Sequence, residues 1–168
     1  MKNLVTLIPL PTINKKIISN FIIDNFAKNE KIVLQREAEY IYDLLEGDPW
    51  YIQRLLEICF LKTEHTLTQS IVKESMESLI SIHDYELHNT VYSLSNHQLM
   101  LLKAILDGET RFSKAAIMKK YHLNSSANVN RLKEALRKKE IITFVNKNRI
   151  EFNDSLFKFW LREYFFKN

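Results

Sequence analysis

Glycine, proline and cysteine are scarce in this sequence of 168 residues, which contains two glycines, three prolines and one cysteine. A phosphate-binding P-loop needs two glycines at a fixed short spacing, and a dinucleotide-binding motif needs three in close order, whereas Gly47 and Gly108 stand alone. The sequence therefore excludes a nucleotide site of either type. Cys59 has no second cysteine for a disulfide or a thiolate metal cage. Such cysteine usage is typical of a reducing compartment, so we expect a cytoplasmic protein.

Long apolar runs are absent as well. No uninterrupted apolar stretch reaches the roughly 18 residues that a membrane helix needs, and the opening stretch Leu4–Leu10 is short and lacks a small-residue cleavage site. We therefore expect no transmembrane helix, no signal peptide and no membrane partner. Apolar residues still make up 46% of the chain, which is enough for a buried core.

Charge is divided unequally along the chain. Residues 1–94 carry 9 basic and 13 acidic side chains, a net charge of −4, whereas residues 95–168 carry 15 basic and 7 acidic ones, a net charge of +8. Such asymmetry between halves is typical of proteins that bind nucleic acid or another acidic partner through one half.

The first half shows the apolar spacing of amphipathic helices. Ile17 and Phe21 are predicted to face the core from the first helix, and Ile82 from the fourth. Gly47 is predicted to end the second helix in a left-handed conformation, and Pro49 to begin the third, with Asp48 as its cap. The four predicted helices cover about 13–26, 36–46, 49–60 and 68–82.

Residues 83–94 lose the helical period and mix polar with aromatic side chains. We interpret them as a helix end followed by a linker, and we place the domain boundary there. The predicted domains are residues 1–90, a helical bundle, and residues 91–168.

The second domain has the element order of a winged helix. Ser95 and Gln98 form a capping-box pattern at the start of its first helix. A short helix over 113–121, with Ala116 and Ile117 predicted to be buried, and a longer basic helix over 126–139 give the helix-turn-helix order. Alternating residues predict two strands, around 142–144 and 150–152, joined by a polar turn at 146–148. Asp154 is then predicted to cap a last, aromatic helix. The predicted fold class is mainly α: a four-helix bundle followed by a winged helix-turn-helix domain with a small two-stranded β wing.

The longer basic helix is the predicted DNA-recognition helix. If its apolar residues face the core, helical geometry turns the opposite face to solvent. Arginine and lysine neutralise phosphates, and asparagine and arginine read base edges in the major groove. The candidate DNA-binding residues are Asn130, Arg131, Arg137 and Lys138 on this helix and Lys147 and Arg149 on the wing.

The same charges have a second interpretation. Glu134 lies three residues after Arg131 and four before Lys138, so it is expected to pair with either or both. The charged face then simply keeps the helix solvated. A carboxylate at the centre of the face also repels phosphate unless it accepts a hydrogen bond from a cytosine amine.

Catalytic and metal-binding patterns are absent from the sequence. The five histidines include no pair at the four-residue spacing of a helical zinc site, and His83 and His88 are read as surface or linker residues. Cys59 falls on an apolar helix face without a partner histidine, which favours a buried, inert thiol. The aromatic run that ends the chain is too rich for one small core, and part of it is expected to contact another domain or chain.

Two stretches carry a resemblance to a known family. Gly47–Gln53 resembles the G-x-P-x-x-x-Q signature in the helical lid of AAA-type and STAND ATPases, especially the prokaryotic archaeal ATPase group. Asp154–Arg162 resembles that group's D-P-L-F-x-x-W-L-R ending, which follows a winged helix. The elements between them keep the family's order, so the resemblance covers essentially the whole chain.

The resemblance implies a lid and winged-helix region without its P-loop core. The opening residues 7–11 look like the connector that leaves such a core. The family then implies that Gly47, Pro49 and Gln53 contact nucleotide, with Pro49 near the base, and that a core in cis or in trans binds ATP or ADP with magnesium. This chain alone has no catalytic residue, no cofactor and no metal, and is not expected to be an enzyme.

The sequence departs from the family at two positions. Trp50 stands where some relatives have a sensor arginine, and the following Arg54 is instead expected to pair with Glu57 or Glu46. Ser155 replaces a proline at the first turn of a helix, where the change is easily tolerated.

Two functions follow from these observations. The first is the non-catalytic C-terminal regulatory part of an AAA-type, STAND-like ATPase, whose basic half binds DNA or a protein partner. The alternative is a free-standing winged-helix transcription regulator, in which the acidic half is a dimerisation or effector module.

Overall fold

The computed structural model describes residues 13–146 and 149–167. The chain divides into two compact units, Met1–Met76 and Glu77–Asn168, and it is mainly helical, as predicted. The helices are α1 (Lys15–Ala27), α2 (Gln35–Leu44), α3 (Pro49–Lys62), α4 (Gln69–Tyr92), α5 (Asn96–Leu106), α6 (Ala115–Lys120), α7 (Ser126–Lys138) and α8 (Ser155–Trp160), which continues as a π-helical turn over Leu161–Phe165, and the strands are β1 (Ile142–Asn146) and β2 (Arg149–Phe152).

The first unit contains α1, α2, α3 and the start of α4, with α1 packed along α2. A short parallel bridge joins the loops that precede α2 and α4. The Ile32 amide donates to the His65 carbonyl at 2.7 Å, and the Leu67 amide donates to the Ile32 carbonyl at 2.8 Å. The side chains that are fully buried in this unit include Ile22, Ile41, Leu45, Leu55 and Leu67.

The apolar residues of α1 cover more of the helix surface than the one buried face that was predicted. Ile22 and Phe26 are buried, together with Ile18, but Ile17 and Phe21 are 62% and 60% exposed. The prediction that Ile17 and Phe21 face the core is therefore wrong. The two side chains line an open apolar groove, which is described below.

The predicted linker at 83–94 is wrong, because α4 runs without a break to Tyr92. Leu87 and Val91 are buried at a four-residue spacing, which keeps the segment helical despite its polar neighbours. Ile82, predicted to be buried, is 68% exposed. The first compact unit ends at Met76, inside α4, and the boundary predicted at residue 90 stays a prediction.

The second unit has the predicted order of three helices, a two-stranded wing and a last helix. Its buried side chains come mainly from the end of α4, α5, α7, the start of β1 and α8, and α7 packs against both α5 and β1. The prediction that Ala116 and Ile117 are buried is wrong, because Ala116 is exposed and Ile117 half-buried. The helix is only six residues long, and the buried side chains lie on either side of it: Phe112, Tyr121 and Leu123.

Local capping signals were predicted correctly. Asp48 accepts from the amides of Trp50 and Tyr51 and begins α3. Ser95 and Gln98 form the complete capping box of α5, and the Asp154 carboxylate accepts from the Phe157 amide at 2.7 Å to begin α8. Each cap satisfies an amide that has no partner within its helix.

The wing is an antiparallel pair in which Ile142 lies opposite Phe152 and Phe144 opposite Ile150, with an irregularity before Asn146. Lys147 and Asn148, at its predicted turn, lie outside the described residues. Within the part of the chain that the structure describes, no helix is both long enough and apolar enough to cross a membrane.

The aromatic run at the end of the chain is largely buried in the second unit. Phe157 and Trp160 are almost fully buried, and the Trp160 ring lies 5.0 Å from the ring of His88 at the end of α4. Tyr164 is 38% exposed. The contact of this run with another domain or chain remains a prediction.

Candidate nucleic-acid interface

The candidate interface is built on α7, whose start is fixed by the turn before it. His122 and Asn124 in this turn have positive φ, at 52° and 62°, a conformation that asparagine and histidine adopt more readily than most residues. The Ser125 hydroxyl then accepts from the Asn128 amide at 3.2 Å, and the Asn128 side-chain amide donates to the Leu123 carbonyl at 3.2 Å. These hydrogen bonds fix the start of α7 at Ser126.

One face of α7 is buried and the opposite face is exposed, as predicted. Val129, Leu132 and Leu136 pack into the core. This spacing turns a second stripe of residues to solvent. The exposed residues of this stripe, which we call the outer face of α7, are Ala127, Asn130, Arg131, Glu134, Arg137 and Lys138.

The charge pairs on the outer face differ from those predicted. Glu134 pairs with Arg137, whose Nε lies 3.0 Å from the Glu134 Oε2, and not with Arg131 or Lys138. Neither Arg131 nor Lys138 forms an ion pair with another described residue. Both cations are therefore available to an anionic partner.

Two further lysines of this region turn away from the outer face. The Lys133 ammonium lies 4.6 Å from the centre of the Phe112 ring, and burial lowers its pKa from the ordinary value of 10.5. The Lys139 ammonium donates to the Ser93 carbonyl at 2.8 Å, near the end of α4. Sequence reasoning missed both structural roles, because partners distant in sequence leave no local pattern.

The short helix α6 is also anchored from one side. The buried Tyr121 hydroxyl donates to the Asp107 carboxylate at 2.6 Å, and the Lys120 ammonium lies 3.6 Å from the Glu109 carboxylate. These contacts hold the end of α6 against the loop that follows α5.

The wing supplies one described candidate. Arg149 is 68% exposed, and its Nη2 lies 2.6 Å from the Glu151 carboxylate on the same strand. The wing arginine is therefore already paired, unlike Arg131. The second wing candidate, Lys147, lies outside the described residues.

Comparison with known families agrees with this architecture. Residues 85–163 match the family model described as a probable winged helix domain. The second unit carries a winged helix. The match ends there, and the first unit has no counterpart in it. No curated protein and no solved structure matches the chain.

The predicted lid residues lie outside the winged helix, at the start of α3. Gly47 is buried and has a φ of +76°, in the left-handed region. Pro49 is the first residue of α3, and Gln53 lies one turn later. Both side chains are exposed and line one open groove.

This groove, between α1 and α3, is mainly apolar. Its volume is about 840 Å³. Leu61, at one end, is 84% exposed. The other lining residues include Ile13, Ile17, Phe21, Pro49, Gln53, Leu56 and Phe60. A mainly apolar concave surface of this size is large enough for a ligand or a partner segment.

Arg54 is paired as predicted. Its Nη1 lies 3.1 Å from the Glu57 carboxylate, and its guanidinium lies 5.5 Å from the centre of the Trp50 ring. Both members of the pair are about half exposed, so the interaction contributes little to stability.

His83 and His88 each contact a different acidic residue. His83 contacts Glu86, and His88 contacts Asp84, each on the same helix. No group of three metal-ligating side chains occurs among the residues that the structure describes.

The Cys59 thiol is buried, as predicted, and burial raises its pKa from the usual 9.0 to about 11. At pH 8 the thiolate fraction is then about 100-fold smaller than in the unfolded chain. We expect iodoacetamide to modify the native protein at least that much more slowly than the urea-unfolded protein. Equal rates in the two states, measured by mass spectrometry, would show an accessible thiol.

Proposed function

We propose that the winged helix binds double-stranded DNA through the outer face of α7. The observation that carries this proposal is that Arg131 and Lys138 are exposed on this face without ion pairs to described residues, in a half of the chain with a net charge of +8. In helix-turn-helix proteins the second helix of the motif enters the major groove, and cations beside it contact phosphates.

The roles of the candidate residues follow from their positions. Asn130 lies in the first half of α7, the part of a recognition helix that usually contacts base edges. The exposed Arg131 beside it is proposed to contact a phosphate. Lys138 lies at its last turn, where it can reach a phosphate. Lys147 and Arg149 on the wing are proposed to contact the adjacent backbone.

We further propose that the chain is the lid and winged-helix region of an AAA-type, STAND-like ATPase. The support is the resemblance of Gly47–Gln53 and Asp154–Arg162 to that family, together with the exposed groove beside Pro49. The exposure of Ile17 and Phe21 leaves apolar surface uncovered, and such surface favours a partner.

The proposed occupant of this groove is a P-loop core, supplied in cis or in trans. The core would bind ATP or ADP with magnesium, and Gly47, Pro49 and Gln53 would approach the nucleotide from the lid side. This chain would contribute no catalytic residue, and its conformation would respond to the nucleotide held by the core.

DNA binding is tested by fluorescence anisotropy with the purified chain and random-sequence duplexes at several salt concentrations. If the outer face contacts phosphates, log Kd rises linearly with log salt concentration. Absence of binding, or binding that salt does not weaken, would contradict the DNA proposal and leave protein docking as the role of the winged helix.

The ATPase proposal is tested by measuring the size of the protein in its cells of origin with an antibody against this chain. A band well above 20.0 kDa, or a P-loop protein that co-purifies with the chain, supports it. A chain of this size that forms a symmetric dimer on a palindromic DNA site would instead support the free-standing transcription regulator. ATP hydrolysis by the purified chain would contradict both.

A further inference from the structure

Glu134 occupies the centre of the outer face of α7. Asn130 and Arg131 lie one turn before it, and Arg137 and Lys138 one turn after it. It is the only acidic residue of α7, and its side chain is half exposed, at 51%. Any duplex that binds to this face must therefore lie against a carboxylate.

A carboxylate in this position does not assist phosphate binding. It repels phosphate, and its pair with Arg137 removes one cation from the count of free positive charges. A half-exposed pair such as this also contributes little to the stability of the helix. The pair is better suited to neutral polar groups, which in the major groove are the edges of the bases.

The geometry of the pair defines which base edge it fits. The Glu134 Oε2 and the Arg137 Nε are 3.0 Å apart, so a hydrogen-bond acceptor and a set of donors stand side by side. A cytosine–guanine pair presents the complementary arrangement in the major groove, because the cytosine N4 amine is a donor and guanine O6 and N7 are acceptors.

An adenine–thymine pair fits less well. Its single donor, the adenine N6 amine, lies between two acceptors, adenine N7 and thymine O4. A carboxylate that accepted from this amine would face an acceptor on each side. In the cytosine–guanine pair the donor has an acceptor on one side only.

We propose that Glu134 and Arg137 read one cytosine–guanine pair of the bound duplex, with Glu134 accepting from the cytosine amine and Arg137 donating to guanine. Glu134 is thereby a specificity-determining residue, and Arg131 and Lys138 supply phosphate contacts. This inference rests on the proposed DNA-binding function of the winged helix.

The test is a selection of duplexes from a random library by the full chain, followed by affinity measurements on the four versions of one base pair. The wild-type protein is expected to prefer cytosine–guanine at that position by about 5- to 150-fold. Because glutamine pairs with the N6 and N7 atoms of adenine, Glu134→Gln is expected to move the preference to adenine–thymine.

Glu140→Gln is the matched control. Glu140 follows α7, is exposed and lies off the outer face, so this variant removes the same charge and should keep the cytosine–guanine preference. A wild-type protein that binds DNA without such a preference, or a preference that survives in Glu134→Gln, would overturn the inference alone. No binding of any duplex by the wild-type protein would overturn the proposed function together with the inference.

Discussion

Replacing Arg131 and Lys138 together by glutamine is expected to weaken DNA binding about 30-fold at 0.15 M salt and to lower the slope of log affinity against log salt by about 1.8. Both side chains are exposed, and neither is held by an ion pair with a described residue. Each would contact one phosphate, and each lost contact lowers the number of counterions released by about 0.9. Fluorescence anisotropy at four or more salt concentrations measures both quantities.

A matched control separates local contact from overall charge. Lys28 and Lys73 are exposed lysines of the first unit, and Lys28→Gln with Lys73→Gln lowers the net charge by the same two units. This control should leave the salt slope unchanged. If the two double variants lose affinity equally, binding follows net charge, and the outer face of α7 is not the interface.

Gly47→Ala is expected to destabilise the first unit by about 2–4 kcal/mol. One part of this cost is the backbone, because φ at Gly47 is +76° and an alanine in the left-handed region costs about 1–2 kcal/mol. The other part is steric, since an added Cβ would lie 2.6 Å from the ring of Tyr42. The Tyr42 hydroxyl donates to the Ile13 carbonyl at 3.1 Å, so the ring cannot move away without loss of this bond.

Gly108→Ala separates the backbone cost from the steric cost. Its φ is +80°, but an added Cβ would have no atom within 4 Å, so only the backbone cost of about 1–2 kcal/mol applies. Urea denaturation followed by circular dichroism measures both variants, and amide exchange of the α2 and α3 peptides locates the loss at Gly47. Equal destabilisation by the two substitutions would show that Tyr42 yields without cost.

The structural requirement for a glycine at position 47 also affects how the resemblance to AAA-type lids is interpreted. The glycine of the G-x-P pattern is required here by the turn between α2 and α3 and by the ring of Tyr42. Gly47 therefore carries no independent support for nucleotide binding. Pro49 is likewise explained by its place as the first residue of α3, where proline is favoured. The support therefore rests on Gln53, which is exposed in the groove and which the local fold does not require.

The features that the sequence predicted best are those decided by neighbouring residues. The caps at Asp48, Ser95 and Asp154 each depend on a side chain and an amide two or three residues away. The burial of Val129, Leu132 and Leu136 follows from a single regular stripe. In both cases the interacting residues lie within one helical turn or on one face of a single helix.

The features that the sequence did not predict depend on distant partners. Helix α1 carries apolar residues on more than one face, and only the fold decides that Ile22 is buried while Phe21 lines the groove. Similarly, Glu134 has three cations at the three- and four-residue spacings that allow pairing on a helix: Arg131, Arg137 and Lys138. The ion pair with Arg137 depends on side-chain rotamers that spacing alone does not determine.

The unbroken helix α4 determines how the two halves of this protein can be separated for experiments. The boundary between the two units at Met76 and the start of the family match at residue 85 both lie within it. Expression of a shortened chain that begins at residue 93 would remove Leu87 and Val91, which are buried, and the His88 ring that contacts Trp160. A shortened winged helix should therefore start at Glu77, with an added N-cap residue such as serine to replace the helical turn that the cut removes.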